Sequence, residues 1–209
     1  MEDVSTLAEP AGFTPEDLPR LRYGPGHYEL VDGSLHVTGG GFTSDSLDEL
    51  PDDGYRHELI DGVLVVTPSP SFSHQRMVLG LGRVLDDHCP SDLVVLVAPF
   101  DVRLSDLTTV EPDILVARRT EVTERNLPTA PVLAVEILSR TTSHLDLGRK
   151  KHAYAGCSHY WVVHPYDRRL IAWDLRDGEY VQVADVTGDE SWTAESPFAV
   201  TITPSDLLG

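Results

Sequence analysis

Apolar side chains recur along this sequence with a helical period. Residues 70–88 are predicted to form a helix, because four of its apolar residues fall on one face: Met77, Leu81, Val84 and Leu85. A second helix is predicted over residues 145–155, where Gly156 is suited to end it. The first of these segments presents a clear apolar face for packing against a core.

Other apolar segments have the length and flanking turn residues of β-strands. Five are predicted: 93–97, 100–104, 113–117, 132–138 and 160–163. The run at 93–97 is apolar throughout, which indicates a buried strand. The run at 100–104 alternates between apolar and polar residues, which indicates a half-exposed strand.

Three Asp-Gly pairs lie between strand-like segments and predict tight hairpins. They are Asp32-Gly33 within residues 28–37, Asp61-Gly62 within 57–66, and Asp177-Gly178 between 169–173 and 180–183. The first two hairpins share Glu, Leu, a β-branched residue, Asp and Gly in the same order. Two copies are too few to define a repeat fold, so that duplication and coincidence both remain open.

The order of these elements predicts the fold class. A helix, several strands, a second helix, a strand and a hairpin favour a mixed β-sheet with helices packed on it, an α/β or α+β fold. Residues 1–45 are predicted to be an N-terminal extension containing the first hairpin, because its prolines break any long helix. Residues 46–209 form the main domain, and residues 46–50 are expected to begin it with one Ser-capped helical turn.

The charge balance limits which partners the protein surface can attract. The 209 residues include 34 acids and 16 bases, which gives a formal net charge of −18. Proteins that coat nucleic acid electrostatically are usually basic, so this class of protein is disfavoured. An enzyme that acts on nucleic acid through a metal ion is not excluded, because its acidic ligands are local and cations screen the remaining charge.

The chain has the sequence character of a cytoplasmic protein. No apolar run approaches the roughly 20 residues that span a bilayer, and residues 1–4 are acidic rather than typical of a signal peptide. The two cysteines, Cys89 and Cys157, lack the spacing of a disulfide framework or a metal site. Both are expected to act as small hydrophobic residues.

Two acids stand in or beside otherwise apolar strand segments. They are Asp113, which opens the run 113–117, and Glu136, which lies within 132–138. An ionised carboxylate in apolar surroundings is costly unless it is paired or binds a metal. Two neighbouring carboxylates repel, and a divalent cation such as Mg²⁺ or Mn²⁺ relieves that repulsion. Asp113 and Glu136 are therefore candidate metal ligands, and acids paired with arginine are the alternative.

The second predicted helix carries two candidate lysines. Asp146, Lys150 and Tyr154 are spaced to share one face, so that a surface ion pair with Asp146 is one interpretation of Lys150. The other interpretation is a catalytic lysine that stabilises developing charge or orients a water. Lys151 points about 100° away on a helix and is expected to be solvated.

A series of short motifs resembles a known family. In chain order the motifs are Glu58-Leu59-Ile60-Asp61-Gly62, Thr67-Pro68-Ser69-Pro70, His74, Pro112-Asp113-Ile114-Leu115-Val116, Val135-Glu136-Ile137-Leu138-Ser139, Asp146, Lys150, Tyr154, Gly156 and His159-Tyr160-Trp161-Val162-Val163. Their order and spacing resemble the Uma-type restriction-endonuclease family, a bacterial branch of the PD-(D/E)xK nuclease superfamily. The resemblance runs from about residue 47 to the C-terminus.

The resemblance implies a restriction-endonuclease-like mixed sheet flanked by helices and a Mg²⁺- or Mn²⁺-dependent site. By this resemblance Asp113 is the first metal ligand, Glu136 is the second acid, and Glu58 is a third acidic member. The superfamily lysine usually lies two residues after the second acid, where this chain has Leu138. In the Uma-type branch the lysine comes from the following helix, which corresponds to Lys150.

The implied function is endonucleolytic hydrolysis of phosphodiester bonds, with DNA as the expected substrate. A catalytically inactive nuclease-fold protein that acts as a binding or regulatory module is the alternative, motivated by the acidic charge and the shifted lysine. A homodimer is a further expectation, because cutting both strands of a duplex often uses a two-fold pair. His74, Glu111 and Tyr154 remain open as additional members of the site.

Overall fold

The computed structural model describes residues 12–18, 23–139, 144–154 and 156–208, without the side chains of 144–147 and 149. The strands are β1 (His27–Val31), β2 (Ser34–Thr38), β3 (Arg56–Ile60), β4 (Val63–Thr67), β5 (Leu93–Val97), β6 (Asp101–Ser105), β7 (Thr108–Val110), β8 (Ile114–Arg118), β9 (Asn126–Leu127), β10 (Leu133–Ile137), β11 (His159–His164), β12 (Arg169–Arg176), β13 (Glu179–Thr187), β14 (Trp192–Ala194) and β15 (Val200–Ile202). The helices are α1 (Ser44–Leu47), α2 (Phe72–His88), α3 (His144–Ala153) and a terminal 3-10 helix (Pro204–Leu208).

The chain divides into two compact units, each built from three stretches of sequence. Unit 1 takes the described residues within 1–71, 103–110 and 141–153. Unit 2 takes those within 72–102, 111–140 and 154–209. The predicted division into an extension over 1–45 and a domain over 46–209 stays a prediction, and residues 1–11 and 19–22 lie outside the described part.

Unit 1 is an antiparallel sheet with short helices. Its strands lie in the order β1-β2-β4-β3-β7, so that the two similar hairpins pair with each other through β2 and β4. One face of the sheet buries an apolar cluster: Tyr23, Leu35, Val37, Phe42, Leu59, Leu64 and Val66. Because side chains alternate along a strand, Glu58 of β3 lies on the face opposite to its neighbour Leu59.

Unit 2 is a mixed six-stranded sheet with α2 packed on it. Its strands lie in the order β13-β12-β11-β10-β8-β5, with β10 parallel to β11 and antiparallel to β8. Its core joins the inner face of α2 to alternate residues of the sheet: Met77, Leu81, Leu85, Ile114, Val116, Leu133, Val135, Ile137, Trp161 and Val163. This mixed sheet with packed helices confirms the predicted fold class.

The three predicted Asp-Gly hairpins are confirmed as β1–β2, β3–β4 and β12–β13. Each Asp and each Gly in these turns has a positive φ, for example 51° at Asp177 and 84° at Gly178. Two consecutive positive φ values define the tight turn whose twist matches that of the flanking strands. Asp and Gly are among the residues that tolerate this conformation, which is why the dipeptide was informative.

Both long helices are confirmed, and several details differ from the predictions. The predicted Ser-capped turn begins two residues earlier, at Ser44, and its cap is Thr43, whose hydroxyl accepts a hydrogen bond from the Ser46 amide. The apolar run of β5 was expected to be buried, but β5 forms an edge of the sheet and Val97 is 47% exposed. The short strands β7, β9, β14 and β15 have no periodic signal in the sequence and were not predicted.

A helix that crosses a bilayer needs about 20 predominantly apolar residues. Among the helices of the described residues, none combines the length and the apolar character that crossing a membrane demands.

The Asp177-Gly178 turn gives a test of the backbone conformation alone. A Cβ at Gly178 would meet nothing within 4 Å, so the cost of Gly178→Ala comes from its φ of +84°. We expect this substitution to lower the free energy of unfolding by about 1 kcal/mol. Urea denaturation followed by circular dichroism measures the change.

Gly82 within α2 is the matched control, since it lies in the same unit and its Cβ would meet Val97 at an ordinary 3.5 Å. Gly82→Ala is expected to raise the free energy of unfolding by about 0.5–1 kcal/mol, because alanine favours the helix. Equal effects of the two substitutions would contradict the conformational explanation.

Candidate active site

Asp113 and Glu136 lie at neighbouring positions on two paired strands of unit 2. The antiparallel register of β8 and β10 ends at the pair Ile114 and Val135. Asp113 directly precedes Ile114, and Glu136 directly follows Val135, so the two acids lie at the same end of this ladder. Both carboxylates are buried, with exposed fractions of 1% and 3%. Each acid therefore needs a compensating partner within the protein.

The Asp113 carboxylate receives its compensation from two directions. Its Oδ2 accepts a hydrogen bond of 2.7 Å from the backbone amide of Ile137, the residue after Glu136. The same oxygen lies 3.1 Å from Nε2 of His74, which is in the first turn of α2 and is also buried. Because an ionised carboxylate only accepts hydrogen bonds, we assign the donating proton to Nε2 of His74.

Glu136 is held by a tyrosine. The phenol of Tyr154 donates a hydrogen bond of 2.9 Å to Oε1 of Glu136. Tyr154 is the first residue after α3 and is fully buried, and its ring packs against Tyr160 with centroids 5.5 Å apart. Glu136 projects from the sheet face opposite to the α2 core, because its neighbours Val135 and Ile137 both belong to that core.

Unit 1 contains the other two predicted site residues as a second buried pair. The ammonium of Lys150 lies 3.0 Å from Oε2 of Glu58, and their side chains are 7% and 1% exposed. The guanidinium of Arg56, one alternate position away on β3, lies 3.8 Å from the same oxygen. The surface interpretation of Lys150 is therefore wrong, since the lysine is buried against a strand carboxylate.

The remaining candidates have mixed outcomes. The side chain of Asp146, the proposed partner of Lys150, lies outside the described residues. Lys151 is half-buried rather than fully solvated, and burial lowers the pKa of its ammonium. Glu111 is also half-buried, and it precedes Pro112 just before β8. Tyr154 combines both interpretations that were open, because it packs in an aromatic cluster and bonds to Glu136.

The cysteines differ in their surroundings. Cys157 is buried as expected, and burial raises the pKa of its thiol to about 12. A thiol with so high a pKa is a poor nucleophile near neutral pH. Cys89 is half-buried.

The donor set of Asp113 and Glu136 suits Mg²⁺ or Mn²⁺. Two carboxylate groups supply hard oxygen ligands, and Mg²⁺ commonly binds one or two carboxylates while keeping waters and substrate phosphates as its other ligands. Within the described ranges, three or more His, Cys, Asp or Glu residues nowhere gather into a group that could hold a metal ion. Two carboxylates are the number of protein ligands that Mg²⁺ commonly takes.

The four predicted site residues accordingly fall into two pairs, Asp113 with Glu136 in unit 2 and Glu58 with Lys150 in unit 1. Sequence reasoning left His74 open as a site residue. It did not consider Tyr180, whose phenol contacts the backbone carbonyl of Tyr154. The spacing from the Pro-rich segment 67–70 to His74 was the available signal for the histidine. Nothing in the local sequence around Tyr180 marks it as part of a site.

The comparisons with known proteins agree with these features. Residues 44–205 match the model of the Uma2 family, described as "Putative restriction endonuclease". A similar solved structure is that of a "putative nuclease belonging to DUF820" from Anabaena variabilis, which is 18% identical with a TM-score of 0.62. The likeness covers 80% of this chain and 97% of that one, and it confirms the nuclease-like fold. No curated protein matches the chain.

The buried Glu58–Lys150 pair allows a test of its contribution to stability. Lys150→Met leaves a buried carboxylate without its ammonium partner, and we expect a loss of about 3 kcal/mol in the free energy of unfolding. Lys150→Met combined with Glu58→Leu removes both charges of the pair and should recover part of that loss, because Arg56 then also loses this carboxylate partner. Chemical denaturation of the single and double variants measures the coupling.

An exposed ion pair on α2, Arg83 with Asp87 at 3.7 Å, is the control for this experiment. Arg83→Met should change the free energy of unfolding by less than about 0.5 kcal/mol. If Lys150→Met were equally mild, the pair would have no structural role.

Proposed function

The chain belongs to the Uma2 family, and we propose that it is a metal-dependent endonuclease that hydrolyses phosphodiester bonds of DNA. The observation that carries this proposal is the burial of two carboxylates, Asp113 and Glu136, at the same end of the ladder between β8 and β10. Such an arrangement is costly for folding alone and suits a divalent cation. The family description and the name of the structural relative point to the same class of reaction.

The reaction joins a water oxygen to phosphorus while the bond from phosphorus to the leaving sugar oxygen breaks. The water gives up a proton, and the leaving oxygen gains one. A divalent cation supplies charge stabilisation at the phosphate and lowers the pKa of the attacking water. Asp113 and Glu136 are the residues that would hold it. The Ile137 amide and His74 favour the ionised form of Asp113, which is the form that binds a cation.

Lys150 and Glu58 are proposed to take part in the same reaction. Lys150 supplies a fixed positive charge that stabilises the phosphate as negative charge develops on it. Glu58 fixes the position of the ammonium through the 3.0 Å contact. This assignment follows from the family resemblance, and the Lys150 variant below tests it.

DNA is the proposed substrate, bound mainly at the cation rather than on a basic surface. With 34 acids against 16 bases, the protein gains little from general attraction to the phosphate backbone. Metal-dependent binding should therefore outweigh charge-driven binding. A homodimer and a cytoplasmic location remain expectations from the sequence.

A second candidate function is a nuclease-fold protein without turnover, which binds or regulates a partner. The net charge of −18 and Leu138 at the usual lysine position favour it. The two candidates differ in one measurable property, because only the first requires cleavage that depends on a divalent cation.

The central experiment is cleavage of supercoiled plasmid and of single-stranded DNA with Mg²⁺, Mn²⁺ or EDTA. We expect nicked or linear products with either cation and none with EDTA. Asp113→Asn and Glu136→Gln should abolish cleavage, because each removes a charged metal ligand. Lys150→Met should reduce the rate by about 100-fold, the usual size of a lost charge-stabilising group.

Asp87→Asn is the matched control, since Asp87 is an exposed acid on α2 and is not one of the four predicted site residues. It should cleave at the wild-type rate. Absence of cleavage in every condition, together with no Mn²⁺ binding by calorimetry, would reject the nuclease proposal in favour of the second candidate. Cleavage retained in Asp113→Asn would reject this site.

A further inference from the structure

Glu136 is connected by hydrogen bonds to a strand on the far edge of its sheet. We propose that Tyr154, itself held by Tyr180, is a positioning residue that orients Glu136 for cation binding. The inference rests on the proposed function and adds to it two residues that set the geometry of the metal ligand. Three observations support it: the contact of Tyr154 with the carboxylate, the contact of Tyr180 with the backbone of Tyr154, and the packing of the aromatic rings.

Tyr154 contacts the carboxylate of Glu136 directly. Tyr154 donates to Oε1 of Glu136 at 2.9 Å, and the tyrosine is fully buried. A phenol has one O–H, so donating it to Oε1 sets the orientation of the carboxylate about its own axis.

Tyr180 in turn holds the backbone of Tyr154. The hydroxyl of Tyr180 in β13 lies 2.7 Å from the carbonyl oxygen of Tyr154 and 2.9 Å from that of Cys157, and these two acceptors share its one proton. The Tyr154 carbonyl also accepts a hydrogen bond of 2.7 Å from the Cys157 amide, so both carbonyls belong to one turn directly after α3. Burial raises the pKa of Tyr180, so its hydroxyl stays protonated and remains a donor at any physiological pH. Tyr180 thereby fixes the backbone from which the Tyr154 side chain projects.

The rings of Tyr154 and Tyr180 both pack against Tyr160. Tyr160 lies between its neighbours, with ring centroids 5.5 Å from Tyr154, 6.0 Å from Tyr180 and 5.9 Å from Trp173. Separations in this range are favourable for aromatic pairs. The cluster restricts the rotamers of both tyrosines, and the Tyr154 hydroxyl is therefore held in place rather than free to rotate away.

Outer partners of a metal ligand commonly change metal affinity by 10- to 100-fold when they are removed. Tyr154→Phe removes one hydroxyl and keeps the ring. We expect it to weaken Mn²⁺ binding about 10-fold, measured by isothermal titration calorimetry on the full chain, with a thermal midpoint close to that of the wild type. Tyr180→Phe should weaken Mn²⁺ binding by a smaller factor of about 3, since it acts through Tyr154.

A matched control is Tyr28→Phe in β1. The Tyr28 hydroxyl also has two backbone partners, the carbonyl of Gly24 and the amide of Tyr23, but it belongs to unit 1. This variant should bind Mn²⁺ with wild-type affinity. In DNA cleavage, Tyr154→Phe should raise the Mn²⁺ concentration needed for half-maximal rate about 10-fold, while the rate at saturating Mn²⁺ stays near that of the wild type.

The outcomes separate the two proposals. If wild-type protein binds no Mn²⁺, the metal site of the proposed function fails and this inference fails with it. If the wild type binds Mn²⁺ and Tyr154→Phe binds it equally well, only the positioning role is overturned. Should Tyr154→Phe not fold, Tyr180→Phe decides the matter, and wild-type Mn²⁺ affinity in that folded variant would overturn the inference.

Discussion

The desolvation of two carboxylates dominates the chemistry of unit 2. Asp113 and Glu136 are withdrawn from water on paired strands, and each is stable as an anion only where donors replace the lost hydration. The donors come from the backbone of β10, from the first turn of α2 through His74, and from the residue after α3 through Tyr154. Two buried charges are thus held by groups from all three stretches of sequence that make up unit 2.

Much of the architecture could be predicted from the sequence, for reasons visible in particular residues. The Asp-Gly turns specify their own backbone conformation, and the apolar spacing of Met77, Leu81 and Leu85 specifies α2 and its buried face. The order of strands in a sheet has no such local code. The all-apolar run of β5 predicts a buried strand, whereas β5 lies at an edge, because the run records hydrophobicity but not the number of neighbouring strands.

The candidate site shows the same limit. Single acids in apolar runs marked Asp113 and Glu136, because their burial is expensive wherever the strands lie. The partners of such acids are set by tertiary contacts. Helical spacing suggested Asp146 as the ion-pair partner of Lys150. The ammonium of Lys150 lies against Glu58 of β3, which is far away in sequence. Tyr180 of β13 contacts the backbone carbonyl of Tyr154, and a contact between a side chain and a distant backbone group leaves no periodic pattern in the sequence.

The interleaving of the two units has a consequence for biosynthesis. Unit 1 includes α3, which ends at Ala153, although its sheet begins with β1 near residue 27. On a ribosome, the hairpins of unit 1 emerge long before Lys150, so that Glu58 must wait as a nascent-chain carboxylate in water until its ammonium partner is translated. The pairing of that charge is therefore a late event in synthesis, and a chain stalled before α3 would lack the ammonium that lies against Glu58.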